Sequence, residues 1–294
     1  MYYVITHPEN PQPLHVAALS VTSLAGGQLQ LLEAVSAISK VTVVVLVHGR
    51  PQSFGPGNAV LERGVDALLA AWRPGEEGGT AIVNILSGKT NPSAKLAQSW
   101  PRTVGQVHGG SSPWLQRVRG KWVANNKGCD SDEDGRCYDP YVNDGFPSTP
   151  LFYFGAGMSY TSYEYTSIRV ETVMESADAL RRTLRHVSDT DAVWHVSVTV
   201  KNTGAMAGQE IVQIYVKDPI GLPFVPFWKR MLGFQRTPTL DPGHSATITI
   251  AILWTDLALF DDAQQLKLWP GQYLISAGGA SNLTPLKANA TIAT

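Results

Sequence analysis

Neither sign of charge prevails in this sequence, since 23 Lys and Arg stand against 24 Asp and Glu for a formal net charge of -1. That balance removes the electrostatic reason to expect nucleic acid or an anionic membrane as a partner, and a neutral ligand fits better. Long apolar runs are also lacking. The longest, Val41 to Val47, is far shorter than the roughly 20 residues that cross a bilayer, so no transmembrane helix is expected. The opening Met1-Tyr2-Tyr3-Val4-Ile5-Thr6 has neither a basic stretch nor a long apolar core. It reads as a strand that begins abruptly, not as a signal peptide. Cysteine is scarce, with Cys129 and Cys137 together in one polar loop. They are close enough for a local disulfide and equally able to stay free in a reducing compartment. The glycosylation sequons Asn282-Leu283-Thr284 and Asn289-Ala290-Thr291, taken with that cysteine pair, leave a secretory parent as one reading.

What is present is enough for two folded domains. The chain has 294 residues, 44% hydrophobic and only 16% charged, which excludes disorder as its main state. Apolar residues recur at helical spacing from Gln28 to Ile38, and Val41 to Val47 then forms a continuous β-branched run. Such a run suits a strand buried on both faces of a parallel sheet. Ala59 to Trp72 carries a second helical pattern, and Pro74 to Gly79 is a turn leading into a helix-like stretch from Thr80 to Leu86. Alternating strands and helices imply an α/β layer. Gly88 to Tyr160, rich in Pro, Gly, Ser, Trp and Asn, reads as a long ordered connector. Beyond it the pattern becomes alternation: Val193, His195, Ser197 and Thr199 face one way, and Trp194, Val196, Val198 and Val200 the other. Further strands are expected at Ile211 to Val216, Ala246 to Ile252 and Tyr273 to Ala277, separated by turns such as Asn202-Thr203-Gly204 and Asp241-Pro242-Gly243. Short strands at this spacing predict a sandwich of antiparallel sheets, with the domains divided as 1–165 and 166–294.

An ordered series of segments resembles glycoside hydrolase family 3 of the β-glucosidase type. It comprises Val45-Leu46-Val47-His48-Gly49-Arg50-Pro51, Leu68 to Gly79, Gly88 through Leu96 and Trp100-Pro101-Arg102. Next comes Thr149 to Tyr160, similar to the family's LFPFGYGLSYT signature, with Tyr153, Ala156 and Met158 departing from it. Val200 to Gly204, Gly208-Gln209-Glu210, Gln213 to Val216, Leu232-Gly233-Phe234, Leu240 to Gly243, Asp256-Leu257-Ala258 and Pro270-Gly271 resemble the family's fibronectin type III-like domain. The resemblance implies an α/β domain with an open, mostly parallel sheet and flanking helices, followed by an all-β immunoglobulin or fibronectin type III-like sandwich. It also implies descent from a retaining hydrolase of β-linked glucosides or related oligosaccharides. That hydrolase uses an Asp nucleophile on a preceding (β/α)₈ barrel that nothing here matches. The barrel and the sugar are the implied partners. No cofactor and no metal are implied.

In the family the acid/base Glu follows a strand and precedes a stretch like LxLPGxQ, which stands here, degraded, as Thr22-Ser23-Leu24-Ala25-Gly26-Gly27-Gln28. The equivalent position falls on Thr6, which cannot serve as the acid. Glu9 is the nearest carboxylate and would serve only after a shift in register. Otherwise it is a solvated loop residue between prolines. Arg50, at a strand's carboxyl end where open α/β sheets bind ligands, is the candidate for sugar contact, or it caps its own turn. His48 beside it reads as a packing residue. Glu76 and Glu77 are expected at a helix start. Asp130-Ser131-Asp132-Glu133-Asp134-Gly135 copies half of a calcium loop but lacks the closing Glu, since Tyr141 stands there, and reads as an acidic surface loop. Trp114, Trp122, Trp194, Trp228 and Trp254 are expected in core or interface positions before sugar stacking. Phe152, Phe154 and Tyr160 are expected as structural clamps where connector meets sandwich. The α/β part is expected to present an apolar surface where the barrel would pack.

Overall fold

The computed structural model describes residues 2–6, 24, 26–54, 59–102, 150–173, 191–224 and 229–293. Glu9, Cys129, Cys137, the 130–135 loop, Trp114, Trp122 and Trp228 lie outside them. The described residues divide into two compact units. One holds those up to Thr90 with 98–102 and 150–153; the other holds Asn91–Ala97 and those from Phe154 onward.

In the first unit β1 (Tyr2–Thr6), β2 (Val43–Val47) and β3 (Ala67–Trp72) make a parallel sheet in the order β1-β2-β3. β2 takes the centre because its β-branched run tolerates burial on both faces, and Val44, Val45 and Leu46 are sealed from water. Parallel neighbours require crossovers. Here α1 (Gln28–Ile38) lies between β1 and β2 in the chain, and α2 (Ala59–Gly64) lies between β2 and β3. α1 has the predicted bounds; it buries Leu32 but leaves Leu31 53% and Ile38 84% exposed. α2 meets α1 where Gly64 abuts Ser36, with no room for a β-carbon between them.

The helical pattern expected from Ala59 to Trp72 is corrected by the structure, which ends the helix at Gly64 and runs Ala67–Trp72 as β3. Ala-Leu-Leu-Ala-Ala-Trp forms helices well in isolation. Buried β2, however, leaves backbone donors and acceptors that a neighbouring strand satisfies. Asp66 starts that pairing: its carboxylate accepts from the Thr42 amide at 2.7 Å, and its own amide donates to the Thr42 carbonyl at 2.9 Å. α3 (Gly78–Leu86) then begins after a turn in which Gly75 is left-handed (φ 72°), with Glu77 at its N-cap as expected. Left-handed Gly88 (φ 74°) closes it.

The second unit is the expected sandwich. β4 (Tyr163–Thr172), β5 (Ala192–Asn202) and β8 (Ser245–Leu253) form one antiparallel sheet in the order β4-β5-β8. β6 (Ile211–Lys217), β7 (Arg230–Arg236), β11 (Gly271–Gly278) and β12 (Leu286–Ile292) form the other, in the order β12-β11-β6-β7. A one-turn helix, α4 (Trp254–Leu257), and the short pair β9 (Leu259–Phe260) and β10 (Leu266–Lys267) follow β8. Val196, Val198 and Val200 alternate inward from β5 to share a core with Val212, Ile214 and Val216 of β6 and Ile275 of β11. Trp194 packs edge-on to Tyr273 with ring centroids 5.3 Å apart. Val193 is buried beside Trp194, against the expected alternation, because the register with β8 shifts between Ala192 and Trp194.

β6 is buried on its other face too, by polar groups. Gln213 donates to the carbonyls of Gly155 (3.1 Å) and Gly279 (2.7 Å), and Tyr215 donates to Gln213 Oε1. Glu210 pairs with Lys95 at 3.0 Å and accepts from the Tyr165 hydroxyl at 3.0 Å, while Lys95 also donates to the Gly157 carbonyl. Burial, followed by the Glu210 charge, pushes the Tyr165 phenol far above its ordinary range. Asn91 completes this strap, donating to Ala207 O and accepting from Ser159 Oγ and the Tyr160 amide. Tyr160 is itself 49% exposed, more open than a clamp residue would be.

Two stability measurements follow. Trp194→Ala should lower the urea-unfolding free energy by about 3 to 5 kcal/mol through lost burial and a residual cavity. Glu210→Met alone leaves the half-buried Lys95 ammonium without its counter-ion and the Tyr165 hydroxyl without its acceptor, and should cost about 1 to 3 kcal/mol. Lys95→Met combined with Glu210→Met should cost clearly less than the sum of the two single changes; strict additivity would show that the pair is not coupled.

Candidate functional site

The carboxyl edge of the parallel sheet is where the first unit departs from regular geometry. β2 and β3 run in register to Leu46 and Ala70, after which Val47 pairs with Trp72 and Ala71 is left over as a bulge. Trp72 takes a left-handed backbone (φ 52°), a conformation that costs a bulky residue energy and persists only when its surroundings hold it. What holds it is the chain leaving β2. The His48 amide donates to the Trp72 carbonyl at 3.0 Å, and the His48 ring lies 4.5 Å from the Trp72 ring at a tilt of 34°.

Trp100 packs against both rings. Its ring is 5.1 Å from His48 and 6.4 Å from Trp72, and Phe152 meets it edge-on at 5.9 Å. Backbone hydrogen bonds between Trp100 and Leu151–Phe152 hold this ring in place. The Trp100 indole N–H donates to the Gln52 carbonyl, so the turn after β2 is tied to the aromatic cluster as well as to its own strand. Gln52, Ser53 and Phe54 are all buried in that turn.

Within the turn, His48 Nδ1 lies 2.6 Å from the Arg50 carbonyl, and Gln52 Nε2 donates to the same oxygen at 3.1 Å. A carbonyl only accepts, so Nδ1 carries the proton and Nε2 carries the lone pair. Nε2 is enclosed and has no hydrogen-bond partner among the described residues. Burial lowers the His48 pKa below its usual value, opposed in part by the bond to Arg50. Gly49 presses on the Arg73 guanidinium, which would sit 2.9 Å from a β-carbon there. Arg50 is exposed at the tip of the turn.

At this edge Arg50 is exposed and Trp72 is half-buried. Among the described residues, none of the groups bonded to the side chains of His48, Gln52 and Trp100 is a carboxylate. His48 is the packed residue that sequence reasoning expected. Trp72, Trp100 and Gln52 were not singled out, although Trp72 directly precedes Arg73-Pro74-Gly75 and Trp100 precedes Pro101, turn signals at which an aromatic residue can be assigned to a site. Glu76 and Glu77 are exposed at the start of α3, and Trp194 and Trp254 belong to the sandwich core. Among the described residues no cluster of His, Cys, Asp and Glu is arranged to hold a metal, and no helix is long and apolar enough to cross a membrane.

Comparison with known proteins agrees with this architecture. Residues 17–160 match the glycosyl hydrolase family 3 C-terminal domain, and residues 210–281 match the fibronectin type III-like domain. A β-xylosidase of Formosa agariphila is 31% identical over 264 residues, covering 90% of this chain and 31% of that protein. The thermostable β-glucosidase B of Acetivibrio thermocellus is 31% identical over 278 residues, covering 92% of this chain and 32% of that one. The structure of a β-glucosidase from Erythrobacter marinus superimposes with a TM-score of 0.69 at 34% identity, over 92% of this chain and 30% of that chain. The chain thus spans about a third of the length of the relatives it matches. It belongs to glycoside hydrolase family 3, of which it carries the C-terminal α/β domain and the fibronectin type III-like domain.

Proposed function

We propose that this chain is the part of a β-glucosidase-like retaining hydrolase that builds the side of the sugar pocket opposite the nucleophile, with Arg50 contacting the substrate. The observation that carries the reading is the carboxyl edge of the parallel sheet, where Arg50 is exposed in the turn that follows β2, the place where open α/β sheets bind ligands. Relatives named β-glucosidase and β-xylosidase support a β-linked glucoside or related oligosaccharide as the ligand of the whole enzyme. Retaining hydrolysis needs two carboxyl groups about 5 Å apart, one to attack and one to protonate the leaving group. In this reading the nucleophile resides on a barrel, in the share of the relatives' length that this chain does not match. The apolar side chains of Leu31, Ile38 and Val41, 53%, 84% and 53% exposed, offer that barrel a surface to pack on.

A second reading has its own support. β1 ends at Thr6, a hydroxyl where the family's acid/base Glu is expected, and this favours a carbohydrate-binding or interaction module that has lost catalysis. Glu9 is the residue that separates the two.

The isolated chain should hydrolyse an aryl β-glucoside no faster than a buffer blank. Turnover that scales with protein and survives Glu9→Gln would defeat this account of the site. Turnover that Glu9→Gln abolishes would assign Glu9 as the acid/base.

A further inference from the structure

We propose that His48 is a positioning residue, which sets the turn that carries Arg50 and thereby the direction in which the guanidinium meets a sugar hydroxyl. The proposal rests on the reading of Arg50 as a sugar contact and adds the residue that acts through it. Three features of the geometry carry it. First, His48 and Gln52 both donate to the Arg50 carbonyl, at 2.6 and 3.1 Å, so this one peptide oxygen is held from two directions. Second, the imidazole cannot rotate freely: at 6% exposure it is flanked by Trp72 at 4.5 Å and Trp100 at 5.1 Å. Third, those two indoles are themselves anchored. The Trp72 carbonyl accepts the His48 amide, and the Trp100 N–H donates to the Gln52 carbonyl two residues past Arg50.

The result is a closed circuit through the ends of β2 and β3 and the Trp100 segment, in which the exposed member is Arg50. A long, rotamer-rich side chain loses entropy when it engages a ligand, and a rigid base under it reduces that loss. The choice of imidazole is explained by its two tasks. A planar ring packs against both indoles, and a ring N–H reaches back two residues to a carbonyl. A leucine would pack against the indoles without the donor. An asparagine would supply a donor from a smaller planar group.

The test uses the full chain with His48→Leu, His48→Asn and Arg50→Ala, followed by amide hydrogen exchange over residues 48–54 and by calorimetric titration with glucose. His48→Leu should raise exchange in the turn about tenfold while β6 and β11 keep the parent rates, and it should weaken glucose binding by about tenfold, the loss expected for one buried hydrogen bond. His48→Asn should restore most of both. Arg50→Ala should lose glucose binding and leave the exchange of the turn unchanged. Parent-like exchange in His48→Leu overturns the proposal, as does a loosened turn with undiminished glucose affinity. If the parent chain binds no glucose, the sugar reading of this edge fails, and the exchange data alone decide whether His48 sets the turn.

Discussion

Val44, Val45 and Leu46 are sealed from water on both faces of β2, so the backbone groups between them must be satisfied by strands on either side. β1 and β3 meet that requirement in parallel register, and parallel pairing forces every strand to leave the sheet at the same edge. The residues following β2 and the residues ending β3 are therefore brought together whatever their chemistry. At this edge the pairing is irregular, with a bulge in β3 and a left-handed Trp72. The strain is held by ring contacts with His48 and by the His48 amide. Backbone satisfaction, aromatic packing and presentation of Arg50 thus form one continuous chain of causes.

The sandwich obeys a different constraint. β6 is covered on one face by the aliphatic core and on the other by Gln213, Tyr215 and the chain segments they bind. Its second face is polar, and each buried group there needs a specific partner, because an unpaired one would carry the full cost of its desolvation. Glu210, Lys95 and Tyr165 meet that need together, and Gly279 is required beside them, since a β-carbon would sit 2.8 Å from the Glu210 carboxylate. Hydrophobic burial accounts for the existence of the sandwich. The polar face accounts for the route of Asn91–Ala97 and of the Phe154–Tyr160 stretch along it.

Where a segment's burial was simple, its structure was legible in advance. α1 was readable from its 3.6-residue period, β2 from its β-branched run, and β5, β6, β8 and β11 from alternation and bounding turns. β7 (Arg-Met-Leu-Gly-Phe-Gln-Arg) and β12 (Leu-Lys-Ala-Asn-Ala-Thr-Ile) were not, because each lies at the edge of its sheet with few large inward side chains. β3 was mistaken for helix because its composition favours one and only its neighbour made it a strand. At the candidate site, the positions of Arg50 and His48 after a buried strand were readable from the sequence. Trp72, Trp100 and Gln52 were missed, since sequence spacing carries no sign that residues so far apart converge.

The sequence by itself determined the class of each half, the succession of an α/β unit and a β-sandwich, and the family. All of these depend on local periodicity and on the order of short segments along the chain. Only the tertiary structure decided that the Ala67–Trp72 run is a strand, that Lys95 neutralises Glu210, and that His48 packs against two indoles with its ring N–H turned toward the Arg50 carbonyl. The physical reason is common to the three. Each is the satisfaction of a buried backbone or polar group by a partner distant in sequence, and such a partner is chosen by packing, not by the residues on either side.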